Sequence, residues 1–307
     1  SIVCYGPDVY LIDAGPYISH TLRSFGLSLN SVKGIFHTHA HDDHFAGLCE
    51  LMLGDKKIEY YAPPLVRKSV ELKLKALINV DMPVLESFFA VQDFEADTWN
   101  NVDGLEVYPS ISPHPVETYF LKFRAMSADG YRSYHHLADI SSLEILKGMI
   151  DDGKKPSGIS QEIHDRIRAS YLERADLKKI DAGGGVIHGQ ANDFREDKST
   201  KIIFSHGTKK LTMTQQVYGS QALLGQTDHL IKGFADYRHE TAARMLHHHF
   251  PTVPFGGFYD LLNQEIVRVE PGFAIAPLAS SKKDVFLLLK GIVAAQSVPA
   301  FSELEYQ

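Results

Sequence analysis

One stretch restricts this chain more than any other: Gly34 to Leu48, GIFHTHAHDDHFAGL. Four histidines and two aspartates fall within the eight residues His37–His44. The apolar pair Ile35-Phe36 leads in, and Phe45-Ala46-Gly47-Leu48 leads out. That pattern reads as a buried strand, a polar turn and the start of a helix. Apolar segments on both sides pin the turn to a core, which a merely solvated loop would not need. Crowding imidazoles and carboxylates against a core is unfavourable unless they are paired or bind a metal. Two neutral imidazoles and a carboxylate converging on one point suit Zn²⁺ or a similar borderline metal.

Composition narrows the setting. At 307 residues, 44% hydrophobic and 22% charged, the chain is an ordinary globular protein with room for one large domain and a smaller one. A net charge of −7 disfavours a general nucleic-acid surface. Sixteen histidines fit a metal protein, and two cysteines exclude a disulfide framework, making a reducing cytoplasm the default compartment. No apolar run is long enough to span a bilayer, so no membrane partner is expected.

Along the chain, short strands ending in Asp or His alternate with helices. Ile2–Tyr5 and Val9–Ile12 read as a hairpin leading to Asp13. Val32–Phe36 leads to the histidine turn, and Leu105–Ile111 leads to His114 between two prolines. Tyr131–Leu137 leads to Asp139, and Lys201–Phe204 to His206. Ser141–Asp151 and Ser160–Ile180 read as helices, and Asp81–Asp103 as less regular. Such alternation predicts a layered α/β domain whose strand ends converge on one edge. The texture changes after Leu224, which places a boundary near residue 230: a domain over 1–229 and a smaller segment over 230–307.

His39 and His41 are spaced to face one metal, with His114 completing it. Asp43 and His44 turn toward a second, completed by His206, and Asp139 bridges the two. Two cations about 3.5–4 Å apart would clamp an oxyanion and generate a hydroxide nucleophile at neutral pH. Zinc is the first expectation, with manganese or iron as alternatives. His37 reads as a core or supporting residue, and of His135 and His136 at most one faces the site.

The order Asp13, THAHDDH (Thr38–His44), His114, Asp139, His206 resembles the metallo-β-lactamase fold superfamily over roughly the first three-quarters of the chain. The resemblance implies a four-layer αβ/βα sandwich with a dinuclear site at the sheet edges, here followed by a smaller C-terminal α+β segment. The stretch VIHGQA is similar to the tRNase Z and related phosphodiesterase branch, where a histidine before the last metal ligand helps protonate the leaving group. By that likeness His188 joins Asp43 as a catalytic candidate. Gly189 stands where the branch carries an acidic orienter, so His188 is either that acid or a supporting histidine.

The tail, EIVRVEPGFAIAPLASSKKDVFLLLKGIV (Glu265–Val293), resembles the opening of a cyclic-nucleotide-binding β-roll. The family's phosphate-binding cassette, a Gly-Glu pair followed by Arg, is not found before Gln307. A cyclic nucleotide is therefore a partner of this segment only if the domain is completed.

These readings lead to a dinuclear metal-dependent hydrolase acting on a phosphodiester through a metal-bridging hydroxide. The alternatives are a thioester or lactone hydrolase on the same site, and a non-hydrolytic metal or oxygen sensor regulated through the tail.

Overall fold

The structure is a computed structural model. It describes residues 1–151, 158–184, 187–207, 210–231 and 237–262, with single residues and short runs between 264 and 293. The chain divides into two compact units, Ser1–Thr21 with Ser28–Gly233, and Leu22–Leu27 with Phe234–Gln307.

The first unit holds two sheets. The smaller runs in the order β1 (Ile2–Tyr5), β2 (Asp8–Ile12), β3 (Val32–Phe36), β4 (Ile58–Ala62), β5 (Phe89–Asp93). A tight turn makes β1 and β2 antiparallel; the remaining pairs are parallel. Parallel neighbours need crossovers. These are supplied by α1 (Ile18–Ser24), by the short α2 (Asp42–Phe45) and α3 (Leu48–Leu51), and by α4 (Pro64–Ile78) with α5 (Leu85–Phe88).

The larger sheet comprises β6 (Asn100–Val102), β7 (Leu105–Ser112), β8 (Thr118–Ser127), β9 (Gly130–Leu137), β10 (Leu177–Asp181), β11 (Lys201–Ser205) and β12 (Ser220–Gln221). Strands β6 to β9 form an antiparallel meander, and β9 to β12 are parallel. Here α6 (Leu143–Gly148) and α7 (Gln161–Leu172) make one crossover and α8 (Met213–Gln216) another.

Alternation along the strands divides the core. Tyr10, Ile12, Phe36 and Tyr61 of the smaller sheet pack with Val107, Leu121 and Phe123 of the larger one. Phe120, one residue away on β8, points to the opposite face, where it packs with Leu146, Ile167 and Tyr171 of the helical layer. On α4, Val66, Val70 and Leu74 are buried at i, i+4, i+8. Phe36 closes β3 within an aromatic cluster, its ring centroid 5.2 Å from those of Tyr10 and Tyr61 and 5.3 Å from that of Phe123. The histidine turn therefore leaves from one of the most tightly held residues of the core.

Two local readings differ from the structure. Ser160–Ile180 is not one helix: α7 stops at Leu172 and β10 begins at Leu177. Consecutive lysines look like a solvated helix face, but Lys178 is fully buried, its ammonium donating to Tyr171 O at 2.9 Å and paired with Asp197. The stretch Asp81–Asp103 contains α5, β5 and β6. Edge strand β5 exposes Ala90, Gln92 and Asp93, so it lacks a clean apolar alternation.

In the second unit, α9 spans Tyr237–His249 and α10 spans Tyr259–Leu262. The β-roll resemblance over 265–293 falls largely outside the described residues. No helix among the described residues is long and apolar enough to cross a membrane.

Candidate metal centre

The centre is assembled on strand ends that register brings to one level. Ile12 pairs with Phe36, Leu137 with Ile180, and Asp181 with Ser205. The residues that follow therefore emerge side by side.

Asp13 leaves β2 at a φ of +60°, a conformation that costs a non-glycine residue about 1–3 kcal/mol. Its buried carboxylate accepts hydrogen bonds from Thr38 N, Thr38 Oγ1 and His44 Nδ1, each at 2.7 Å. Because the Thr38 hydroxyl donates to Asp13, it accepts from His39 Nδ1 at 3.0 Å. One carboxylate thus commits the Nδ1 atoms of two histidines and leaves each Nε2 to face the other way. A Cβ on Gly15 would stand 2.6 Å from the Asp43 carbonyl oxygen, so this close approach requires glycine.

On the far side, Ser112 Oγ donates to Asp139 O at 3.0 Å, and Ser141 Oγ to Pro113 O at 2.5 Å. These two bonds cross-tie the loops that carry His114 and Asp139.

His39, His41, His114 and Asp139 meet in one cluster, and Asp43, His44, Asp139 and His206 in a second. In the first, His114 Nε2 lies 3.1 Å from His41 Nδ1, and Asp139 Oδ2 lies 3.6 Å from both His39 Nε2 and His114 Nε2. In the second, His206 Nε2 is 3.1 Å from Asp43 Oδ2. His44 Nε2 is 3.2 Å from Asp139 Oδ1 and 3.5 Å from Asp43 Oδ2. Asp139 therefore gives one oxygen to each cluster.

The donor set fits divalent cations. Ligands of a tetrahedral ion at about 2.0–2.1 Å stand roughly 3.3 Å apart, close to these separations. His39 Nε2, His44 Nε2 and Asp139 Oδ1 are buried without a hydrogen-bond partner, although buried polar atoms ordinarily have one. Electrostatics agree. Burial alone would lower the His44 pKa, but Asp13 behind it and Asp139 in front push it up to about 10. That field favours positive charge at His44, and a cation between the same groups answers it as a proton would. Burial opposes ionisation of Asp13 and Asp139, yet hydrogen bonds and charge from His44 and His39 hold both well below the usual carboxylate range. Burial lowers His114 to about 4, which keeps its ring neutral and its lone pair available.

His188 stands beside both clusters, its ring centroid 4.8 Å from that of His206 and 6.2 Å from that of His114. Its Nδ1 meets Asp181 Oδ2 at 2.9 Å. Asp181 ends β10 and also accepts from Gly183 N at 2.9 Å and from Gly189 N and Ile140 N at 3.3 Å. The carboxylate beside His188, which Gly189 cannot provide, thus comes from the end of β10. A Cβ at 189 would fall 2.6 Å from Asp181 O and 2.8 Å from Ile140 Cγ1, so no side chain fits there. Burial, the largest influence, raises the Asp181 pKa. Sequence reasoning passed over Asp181 and Thr38. A signal for Asp181 was present: Ile-Asp-Ala-Gly occurs at 12–15 and again at 180–183.

The other histidines lie elsewhere. His37 is fully buried with Nδ1 3.1 Å from Tyr60 Oη, and burial lowers it to about 4. His135 and His136 are buried in β9 and belong to neither cluster.

Comparison with known proteins came to the same fold. A family described as Anti-Pycsar protein Apyc1 matches residues 2–127. This span holds Asp13, the histidine turn and His114, and stops short of Asp139, Asp181, His188 and His206. The Anti-Pycsar protein Apyc1 of Bacillus phage 010DV004 is 27% identical over 128 residues, 36% of this chain; the match spans about half, 50%, of that relative's length. The metallo-β-lactamase fold protein YhfI of Bacillus subtilis superposes with a TM-score of 0.50 at 14% identity, covering 72% of this chain and 86% of that one. The short form of human tRNase Z gives a TM-score of 0.48 at 17% identity, over 72% and 88%. The fold is the metallo-β-lactamase fold.

Proposed function

We propose that this chain is a metal-dependent hydrolase with two divalent ions, acting on phosphodiester bonds. The observation that carries the reading is the division of Asp139, one oxygen to each of two clusters that otherwise share no residue. Imidazole and carboxylate donors make zinc the first ion to test, ahead of manganese and iron. His39, His41 and His114 would hold one ion, and Asp43, His44 and His206 the other. Bound cations supply a lowered water pKa and charge stabilisation for a developing oxyanion.

The chain's own groups do the remainder. Asp13 and Thr38 fix which nitrogen of His39 and of His44 faces the substrate edge. Asp181 accepts from His188 Nδ1–H, so in the imidazolium form Nε2–H is the bond that gives its proton to the leaving oxygen, which leaves a neutral ring. The similarity of residues 2–127 to the Anti-Pycsar family is the reason to place a cyclic nucleotide first among phosphodiesters.

The test compares zinc-loaded protein on bis(p-nitrophenyl) phosphate and a panel of cyclic nucleotides with a thioester and a lactone. Turnover of the phosphodiesters, abolished by chelation and restored by metal, is expected. Cleavage of thioester or lactone alone would replace the phosphodiester reading. Metal uptake with an oxygen-dependent absorption band and no turnover would replace hydrolysis with sensing.

A further inference from the structure

The ligands of the histidine turn are not held alike. His39 and His44 are fixed through their rings by the Thr38 and Asp13 contacts. His41 is different: its ring meets other candidate ligands, His114 through Nδ1 at 3.1 Å and the His39 ring edge-on at 4.9 Å between centroids. It stands at the N-cap of α2 without capping it through its side chain. Its two chain neighbours, by contrast, are both held by a residue from a distant helix. Lys73 of α4 donates to the carbonyl oxygen of Ala40 at 2.7 Å and pairs with Asp42 Oδ1 at 2.5 Å. The same ammonium lies 4.6 Å from the centroid of the buried Phe45 ring, a cation–π contact that holds it over the turn.

We infer that Lys73 is a positioning residue for His41, holding the Ala40 carbonyl before it and the Asp42 carboxylate after it and thereby setting the affinity of the His39–His41–His114 cluster for its cation. The inference rests on the metal reading above. The physical requirement is simple. A ligand must stay within a few tenths of an ångström of its place to bind well, and a turn with alanine on one side of His41 and an exposed aspartate on the other has little packing of its own. Lysine suits the task because one ammonium offers three donors on a flexible stem, enough for the carbonyl and the carboxylate together. Residues that orient a ligand typically change metal affinity 10–100-fold when removed.

The test is a titration of chelated full-length protein with Co²⁺ against a competing chelator, following the absorption of each equivalent. His41→Ala identifies which equivalent belongs to the first cluster. In Lys73→Met, which keeps the stem over Phe45 but removes the donors, that equivalent is expected to weaken roughly 10–100-fold with shifted absorption bands. The other equivalent should change less than about threefold, and the chelated variant should melt within a few degrees of its parent. Asp42→Ala, at a side chain 88% exposed, removes one of the two anchors and should weaken the same equivalent by a smaller factor. Two equivalents bound by both variants with unchanged affinity and spectra would overturn the role of Lys73 alone. No uptake by the unsubstituted protein would overturn the metal reading, and this inference with it.

Discussion

Ile-Asp-Ala-Gly ends β2 in the smaller sheet and β10 in the larger one, and each aspartate is buried and bonded to Nδ1 of a histidine. The surroundings make the two copies different. Asp13 stands behind His44, a candidate ligand, and the positive charge favoured there holds it ionised. Asp181 stands behind His188, which belongs to neither principal cluster; burial and the nearby Asp139 raise its pKa, opposed by backbone N–H donors and His188. The same four residues at a strand end thus place a carboxylate on Nδ1 of an imidazole in both sheets, and the neighbouring groups shift the two carboxylates in opposite directions.

The sharpest test of this division is Asp13→Ala. It removes the partner of a buried imidazole and strands Thr38 N–H, a class of change that costs on the order of 3–5 kcal/mol. Metal affinity should fall at least 10–100-fold, measured by chelator competition, with the drop concentrated in the second cluster. Full retention of both cations would show that Asp13 is an ordinary turn residue and end the contrast.

Asp181→Asn should act on the rate instead. Both cations stay bound, and turnover of a phosphodiester with a poor leaving group falls about 10²–10⁴-fold, the usual worth of general acid catalysis. Bis(p-nitrophenyl) phosphate should lose much less, because nitrophenolate departs without a proton. An equal loss on both substrates would mean that His188 does not protonate the leaving group.

What could be read ahead of the structure follows from the same comparison. Asp13, His114 and His206 each follow an apolar run bounded by turn residues, and Asp139 follows a tyrosine-bearing stretch opened by the Asp129-Gly130 turn, so a strand end was visible before each. The first Ile-Asp-Ala-Gly follows Val9–Leu11, an apolar strand by any reading. The second follows Lys178-Lys179, and the burial of Lys178 rests on Asp197, nineteen residues away. A long-range ion pair leaves no local trace, so β10 looked like helix and Asp181 was hidden with it. The grip of Lys73 on the turn is unreadable for the same reason, since only folding brings α4 to Ala40. Conversely, the five-residue β3 was plain because its apolar residues and its glycine face a core that nearly any strand there would need.

The smallest effect is in the pH dependence of stability, and its sign separates the two aspartates. The measurement uses chelated protein, so that metal release does not contribute. Asp13 titrates lower in the folded state than in the unfolded chain. The unfolded state therefore binds more protons as pH falls below about 3.8, and the stabilisation from Asp13, complete above that value, is lost on further acidification. Asp181 titrates higher when folded. The folded state then holds the extra proton just above pH 3.8, and the contribution of Asp181 declines as pH rises through its raised value. Urea unfolding across the acid range, compared with Asp13→Asn and Asp181→Asn, should show the first difference growing with pH and the second shrinking. Two differences that move together would mean that both carboxylates sit in the same electrostatic environment, and the duties assigned to His44 and His188 would lose their physical basis.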